Sequence, residues 1–185
     1  SATLGADALQ AGIIAGAMTG SGRIGMDPAG EAPWPTIAEQ AHARGMRVGI
    51  VSSVSIDHAT PACFYAHQPS RNSYYEIAMQ LPGSGFEYFG GGAAKGDLPK
   101  LRKDRPSPVD AAKAKGYAIA TTRDELAAVR PGGKVWAFNH TCDGQAALLY
   151  DMDRPDDHIS LAEFTRRGIE LLDNPNGFFM MVEGG

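Results

Sequence analysis

The stretch Val48-Gly-Ile-Val-Ser-Ser-Val-Ser-Ile-Asp-His-Ala-Thr-Pro-Ala-Cys-Phe-Tyr-Ala-His-Gln-Pro-Ser-Arg71 decides the fold. Its opening run, Val48 to Val51, is short, apolar and mostly β-branched, which predicts a buried strand. A serine-rich bend leads to His58, Ala59, Thr60 and Pro61. Proline fits the first turn of a helix and threonine just ahead of it is a good N-cap. The pattern therefore predicts a helix of about ten residues, carrying Ala62 to His67 and delivering Arg71 just past its end. In an α/β sheet, ligands bind beyond the carboxyl ends of the strands. An imidazole, a hydroxyl and a guanidinium gather there.

Outward from this stretch the chain alternates. Upstream, Thr36 with Glu39 forms a capping box for a helix whose buried stripe is Ile37, Ala38, Ala41 and His42, stopped by Gly45. Further upstream, Leu9 to Ala17 has the spacing of a buried helix. Downstream, helical patterns at Tyr74 to Leu81 (closed by Pro82-Gly83), Val109 to Lys115 and Thr122 to Val129 alternate with strand patterns. The strands are Phe86 to Phe89, Ala118 to Ala120 and Val135 to Phe138. The basic, proline-bearing stretch Ala93 to Pro108 reads as a solvated excursion, its charge offset by Asp97 and Asp104. Ser160 caps the clearest helix, and Asn174 to Gly177 ends it. Phe178 to Val182 is five apolar residues in a row, a fully buried strand that runs into Glu183-Gly-Gly185. This order predicts an α/β fold, a three-layer sandwich with a mostly parallel central sheet, in one domain. Its strand ends place His58 and Thr60, Gly90 to Gly92, Asn139 and His140, and Glu183 along one edge.

Composition narrows the function. At 185 residues with 43% hydrophobic and 21% charged, the chain can bury a core of its own. A net charge of -4 without a basic run argues against a nucleic-acid partner. No apolar stretch approaches the length of a membrane span. Cys63 and Cys142 lack any CxxC spacing; Cys63 reads as a small buried residue, and a disulfide between the two stays open.

The candidate site residues each have a plain alternative. Arg71 offers a planar fork for two phosphate oxygens, or a helix-end charge paired with a neighbour such as Glu76. Glu183 ends an apolar strand; a carboxylate there needs a partner if dry, or the strand simply surfaces. Carboxylate and hydroxyl oxygens suit a hard cation such as magnesium. His67 reads as a hydrogen-bonded core histidine, His42 and His158 as surface positions, and His140 with Asp143 as a weak ligand pair.

The runs His58-Ala-Thr-Pro-Ala62, Ala66-His67 and Ser70-Arg71-Asn72, with Arg71 eleven residues after Thr60, resemble the alkaline phosphatase family. That family reads His-Ala-Thr/Ser-Pro-Ala, Ala-His and Arg-Asn in the same order. Phe89-Gly-Gly-Gly92 is similar to its Phe-Gly-Gly-Gly, and Phe178-Phe-Met-Met-Val-Glu-Gly-Gly185 to its Gly-Phe-Phe-x-x-Val-Glu-Gly strand. The resemblance spans about residues 18–185. It implies metal-dependent hydrolysis of a phosphorylated small molecule, a phosphate monoester. Arg71 would be the catalytic, phosphate-clamping residue, and Thr60 and Glu183 the magnesium ligands. His58 would sit beside that metal, bound through water. It also implies a periplasmic or extracellular location and a homodimeric parent.

The family carries a Ser nucleophile activated by two zinc ions, in an Asp-Ser-Ala-x-Ser-Ala-Thr motif. Ser1-Ala2-Thr3 matches the end of that motif, which sets the nucleophile before the chain begins; a second register sets Asp7-Ala8 against Asp-Ser. Thr19 to Asp27 rejoins the family pattern with Met18 in place of a typical Lys. Ser52, Ser53 and Ser70 lack a motif for the nucleophile. The family's Ile-Asp-x-x-x-His zinc motif and its later zinc ligands have no counterpart here. The expectation is an internal segment of the catalytic domain that keeps the magnesium side and the phosphate arginine and is inactive alone. Two other readings remain open: a phosphodiesterase or phosphonate hydrolase of the same superfamily, and a non-catalytic phosphate-binding module.

Overall fold

The computed structural model describes residues 19–140 and 142–185; the helix expected at Leu9 to Ala17 and both registers of the nucleophile motif lie outside them. Among the described residues, five strands form one sheet: β1 (Arg47–Ser52), β2 (Tyr88–Gly91), β3 (Tyr117–Ala120), β4 (Lys134–Phe138) and β5 (Phe178–Glu183). Their order is β3-β4-β2-β1-β5, and every pairing is parallel. β1 and β2 lie in the middle, which is why both are buried along most of their length.

The side-chain alternation of the strands sorts the core into two layers. Val48, Ile50, Phe89, Trp136 and Tyr117 face one side, where α1 (Ile37–Ala43), α2 (Ala59–Ala62), α3 (Tyr74–Ser84) and α5 (Pro108–Ala114) contribute Ala38, Ala62, Ile77, Leu81 and Ala112. Val51, Tyr88, Val135 and Ala137 face the other side, covered by α6 (Arg123–Ala128) and α7 (Leu161–Leu172) through Leu126, Phe164, Leu171 and Leu172. This is the expected three-layer sandwich. Each large apolar side chain so buried contributes about 1.5–3 kcal/mol. The capping box at Thr36/Glu39 and the cap at Ser160 form as expected; Glu163 completes a second box at Ser160, and Thr122/Glu125 makes a third.

Several elements depart from their sequence signals. The helix after the Ser-rich bend begins earlier and is only one turn long, Ala59–Ala62, with His58 rather than Thr60 at the N-cap. Thr60 and Pro61 therefore sit inside it. The chain then tightens, with Phe64 N–H bonded to Pro61 O and Tyr65 N–H to Ala62 O, so His67 lies past the helix, just before the bridge at Gln68. Pro82 does not end α3: it falls in the last turn, and Gly85 at φ 74° closes the helix. Strand β2 sits two residues later than expected and takes in Gly90 and Gly91, where the Tyr88 ring and the Ser52 backbone of β1 leave no room for a Cβ.

The stretch Ala93 to Pro108 is less solvated than its charge suggests. It holds a 3-10 turn at Lys95–Asp97 and α4 (Pro99–Arg102), and buries Ala94 and Gly96. Strand β5 pairs with β1 and lies at the sheet's edge among the described residues, so its apolar run is half-buried, with Val182 44% exposed. Cys63 is buried as expected, and no disulfide joins it to Cys142.

Candidate active-site edge

The site is built at the carboxyl ends of β1, β2 and β5. Parallel register sets Ser52 of β1 beside Glu183 of β5 on one side and Gly91 of β2 on the other. Ser52 is fully buried, and its Oγ donates to Glu183 Oε2 at 2.7 Å. Glu183 thus has the partner that a carboxylate in this position needs. Its main-chain carbonyl accepts from Ser53 N, and the Ser53 hydroxyl is bonded to both Gly185 N and Gly185 O. Ser52 was passed over as a nucleophile in the sequence; its role here is to orient Glu183. A serine closing a buried apolar strand was the available signal.

Beyond β1 the chain bends through Ser55 and Asp57 into α2. Asp57 is fully buried, and its carboxylate accepts from the backbone N–H groups of Lys95 (3.0 Å) and Gly96 (2.6 Å). Burial pushes its carboxyl up to about 6, against the pull of those N–H bonds. Asp57 ties the β1 bend to the loop after β2. Sequence reading did not single it out, because the partners lie 38 and 39 residues away.

His58 and Arg71 meet here. Arg71 Nη2 lies 3.1 Å from His58 Nε2, and since a guanidinium only donates, the imidazole nitrogen accepts. Glu76, the neighbour named in the plain alternative for Arg71, binds Arg105 at 2.7 Å. Thr60 is half-buried on α2, which packs against β1 and β5, the strand that ends in Glu183. His58 also lines an open cavity of about 540 Å³, bounded by Ser53, Ser55, Tyr74 and Lys95 on one side and by Leu148, Tyr150, Asp151, Arg154 and Ser160 on the other.

The remaining histidines separate. His140 is exposed, and its ring meets His158 edge-to-face at 5.0 Å. Asp143 Oδ1 accepts from the backbone N–H groups of Gln145 and Ala147. His158 is buried, 3% exposed, and not a surface residue: carbonyl bonds from Arg123 and Arg154 draw its loop down over β4 and α7. Among the described residues no three His, Cys, Asp or Glu side chains converge as a metal cluster. No helix of them is long and apolar enough to cross a membrane.

The family model for alkaline phosphatase matches residues 3–89. Alkaline phosphatase H of Pseudomonas aeruginosa is 32% identical over 208 aligned positions, covering 89% of this chain. The fold agrees with a crystal structure of a cold-active alkaline phosphatase from Shewanella sp., at TM-score 0.78, 30% identity and 96% of this chain. The chain belongs to the alkaline phosphatase family. A variant of the TAB5 alkaline phosphatase, whose structure has magnesium bound, matches at TM-score 0.75 with 25% identity over 96% of this chain. The chain spans 44% of the Pseudomonas protein, and 42% and 49% of the two structures.

Proposed function

We propose that this chain supplies the phosphate-holding edge of a metal-dependent phosphomonoesterase. The observation that carries the reading is the convergence beyond β1: Arg71 beside His58, and Glu183 oriented by buried Ser52 at the neighbouring strand end. Arg71 presents its planar fork to two non-bridging phosphoryl oxygens and holds them as charge builds in the transition state. His58 accepts from Arg71 and so limits the rotamers open to the guanidinium. The substrate is a phosphorylated small molecule.

The donor set at the edge is one carboxylate and one hydroxyl, hard oxygen groups that suit magnesium with water completing its shell. Glu183 and Thr60 would hold that ion, with His58 reaching it through water. When bound, magnesium offsets negative charge beside the phosphate. Ser52 keeps the Glu183 carboxylate turned toward that position. The described residues do not fit a zinc pair, since no cluster of three nitrogen, sulfur or carboxylate ligands is present among them. The family's extracytoplasmic location and dimeric state accompany this reading.

The test is hydrolysis of a chromogenic phosphate monoester by the protein that carries this chain, with zinc and magnesium and then with chelator. Arg71→Ala should lower kcat/KM and phosphate affinity by about 10- to 100-fold, the loss of a charge-assisted bond pair, while the melting temperature holds. Unchanged kinetics would sink the assignment. Turnover of diesters or phosphonates in place of monoesters would move the protein to a neighbouring branch, and phosphate binding without turnover would make it a binding module.

A further inference from the structure

His67 stands in a contact that a neutral imidazole cannot satisfy. Its Nδ1 lies 2.7 Å from the Gly25 carbonyl oxygen and its Nε2 lies 2.9 Å from Glu39 Oε1. Both partners only accept, and a neutral ring has one N–H, so one contact would set lone pair against lone pair. The imidazolium donates to both. We propose that His67 is held as an imidazolium between Gly25 and Glu39 and is a positioning residue, locking the Gln68 to Arg71 segment against residues 22–26.

The surrounding bonds show what the clamp holds. Ile24 and Gln68 form an antiparallel bridge through two backbone bonds, 2.9 and 2.8 Å, and Arg71 N–H reaches Gly22 O at 2.7 Å. The arginine's backbone is thus the end of a short zipper that starts at His67. Gly25 sits at φ 55°, and a Cβ there would lie 2.5 Å from Ala66 O and 2.8 Å from His67 Nδ1, so glycine is what lets the two segments close. Glu39 is fixed in turn, its other oxygen accepting from Thr36 N at 2.7 Å as part of the capping box. From α3, Gln80 brackets the main chain of His67, accepting from its N–H and donating to its carbonyl.

Glu39 from α1 is the charged group facing the ring; the Gly25 carbonyl and the Gln80 amide are the polar ones. The bond to Glu39 raises the His67 pKa above its ordinary 6.5, against the effect of burial. Burial pushes the Glu39 carboxyl up, but the bonds from His67 and Thr36 outweigh it and leave it below its ordinary 4.5. The signs bracket the clamp: the histidine's share is complete below 6.5 and lost as pH rises through its raised value. The carboxylate's share is complete above 4.5 and lost as pH falls through its lowered value. Alkaline conditions therefore release one of the two contacts and loosen the hold on Arg71.

The functional consequence rests on Arg71 as the phosphate ligand; the clamp itself does not. The experiment is an NMR titration of the histidine rings in this chain, with amide hydrogen exchange at Gln68 and Arg71, for the native sequence and Glu39→Gln. Glutamine preserves the capping box and removes the charge. His67 should titrate above its ordinary 6.5, and Glu39→Gln should bring it down toward that value and speed exchange at both amides about fivefold. His67 titrating at or below its ordinary 6.5 would overturn the proposal, as would exchange that Glu39→Gln leaves unmoved. Phosphate affinity measured alongside separates the two readings. If Arg71→Ala does not change it, the phosphate role fails while the titration still decides the clamp. If Arg71→Ala abolishes it, affinity should weaken as His67 loses its proton, at a lower pH in Glu39→Gln.

Discussion

The two walls of the site cavity are held by different physics. The β1 side is main chain pressed on main chain. A Cβ on Gly91, which has φ 113°, would lie 2.0 Å from the Ser52 carbonyl oxygen, and one on Gly92 would lie 2.1 Å from that of Val54. The opposite wall, running from Asp143 to Ser160, is held by side chains that reach across. Arg123 bonds the carbonyls of Asp156 and His158 and pairs with Glu163 at 2.8 Å. Arg154 bonds the His158 carbonyl at 2.7 Å, and the Asn139 amide brackets Ile159 with bonds of 2.9 and 2.8 Å. Tyr150 and Met152 on that wall are 77% and 94% exposed. One wall tolerates no added atom, and the other is a set of replaceable polar contacts. Ser52, which bonds the proposed metal ligand Glu183, stands on the rigid wall, where position is fixed by backbone and entropy has been lost at folding.

The contrast can be broken most directly at Gly91. Gly91→Ala combines a left-handed φ with a backbone clash, and should cost about 3 kcal/mol, a fall in melting temperature on the order of 10 °C. A near-native melt would mean the β1 wall is softer than its spacing. Ser52→Ala keeps the fold but strips Glu183 of its donor. Magnesium affinity should drop about 10- to 100-fold by calorimetry, with the phosphate affinity of the metal-free protein unchanged. Equal magnesium binding by both proteins would remove Ser52 from the site.

On the other wall, Arg123→Met should open the loop near Asp156 to protease while shifting the melting temperature by less than about 2 °C. A large melting shift would show that the loop belongs to the cooperative core. The smallest effect is acidic. Arg123 holds the Glu163 carboxyl down at about 2, with the Ser160 cap assisting, so the carboxylate's contribution is complete above 4.5 and disappears as pH falls through about 2. Glu163→Gln, which retains a capping-box side chain, should flatten that acid limb of stability against pH. An unchanged limb would assign the acid sensitivity elsewhere.

Local rules made much of the fold legible. The capping box at Thr36, the cap at Ser160, the β-branched run at Val48 to Val51 and the regular strand–helix alternation each depend on neighbours within a few residues. They survived folding with small boundary changes. The failures share a cause. His67 was placed on a helix that ends at Ala62, and His158 was placed at the surface, because partners 28 and 35 residues distant decide where they lie. The apolar run of β5 was read as fully buried, although its exposure depends on strand order, which no local window contains.

By itself the sequence determined the layer architecture and the family, because periodicity, caps and motif spacing are written in consecutive residues. Tertiary structure alone decided which groups meet: Ser52 with Glu183, His58 with Arg71, Asp57 with the Lys95 and Gly96 amides, His67 with Glu39. Hydrogen bonds act over about 3 Å, and two atoms come that close across long sequence separations only after the strands have taken their register.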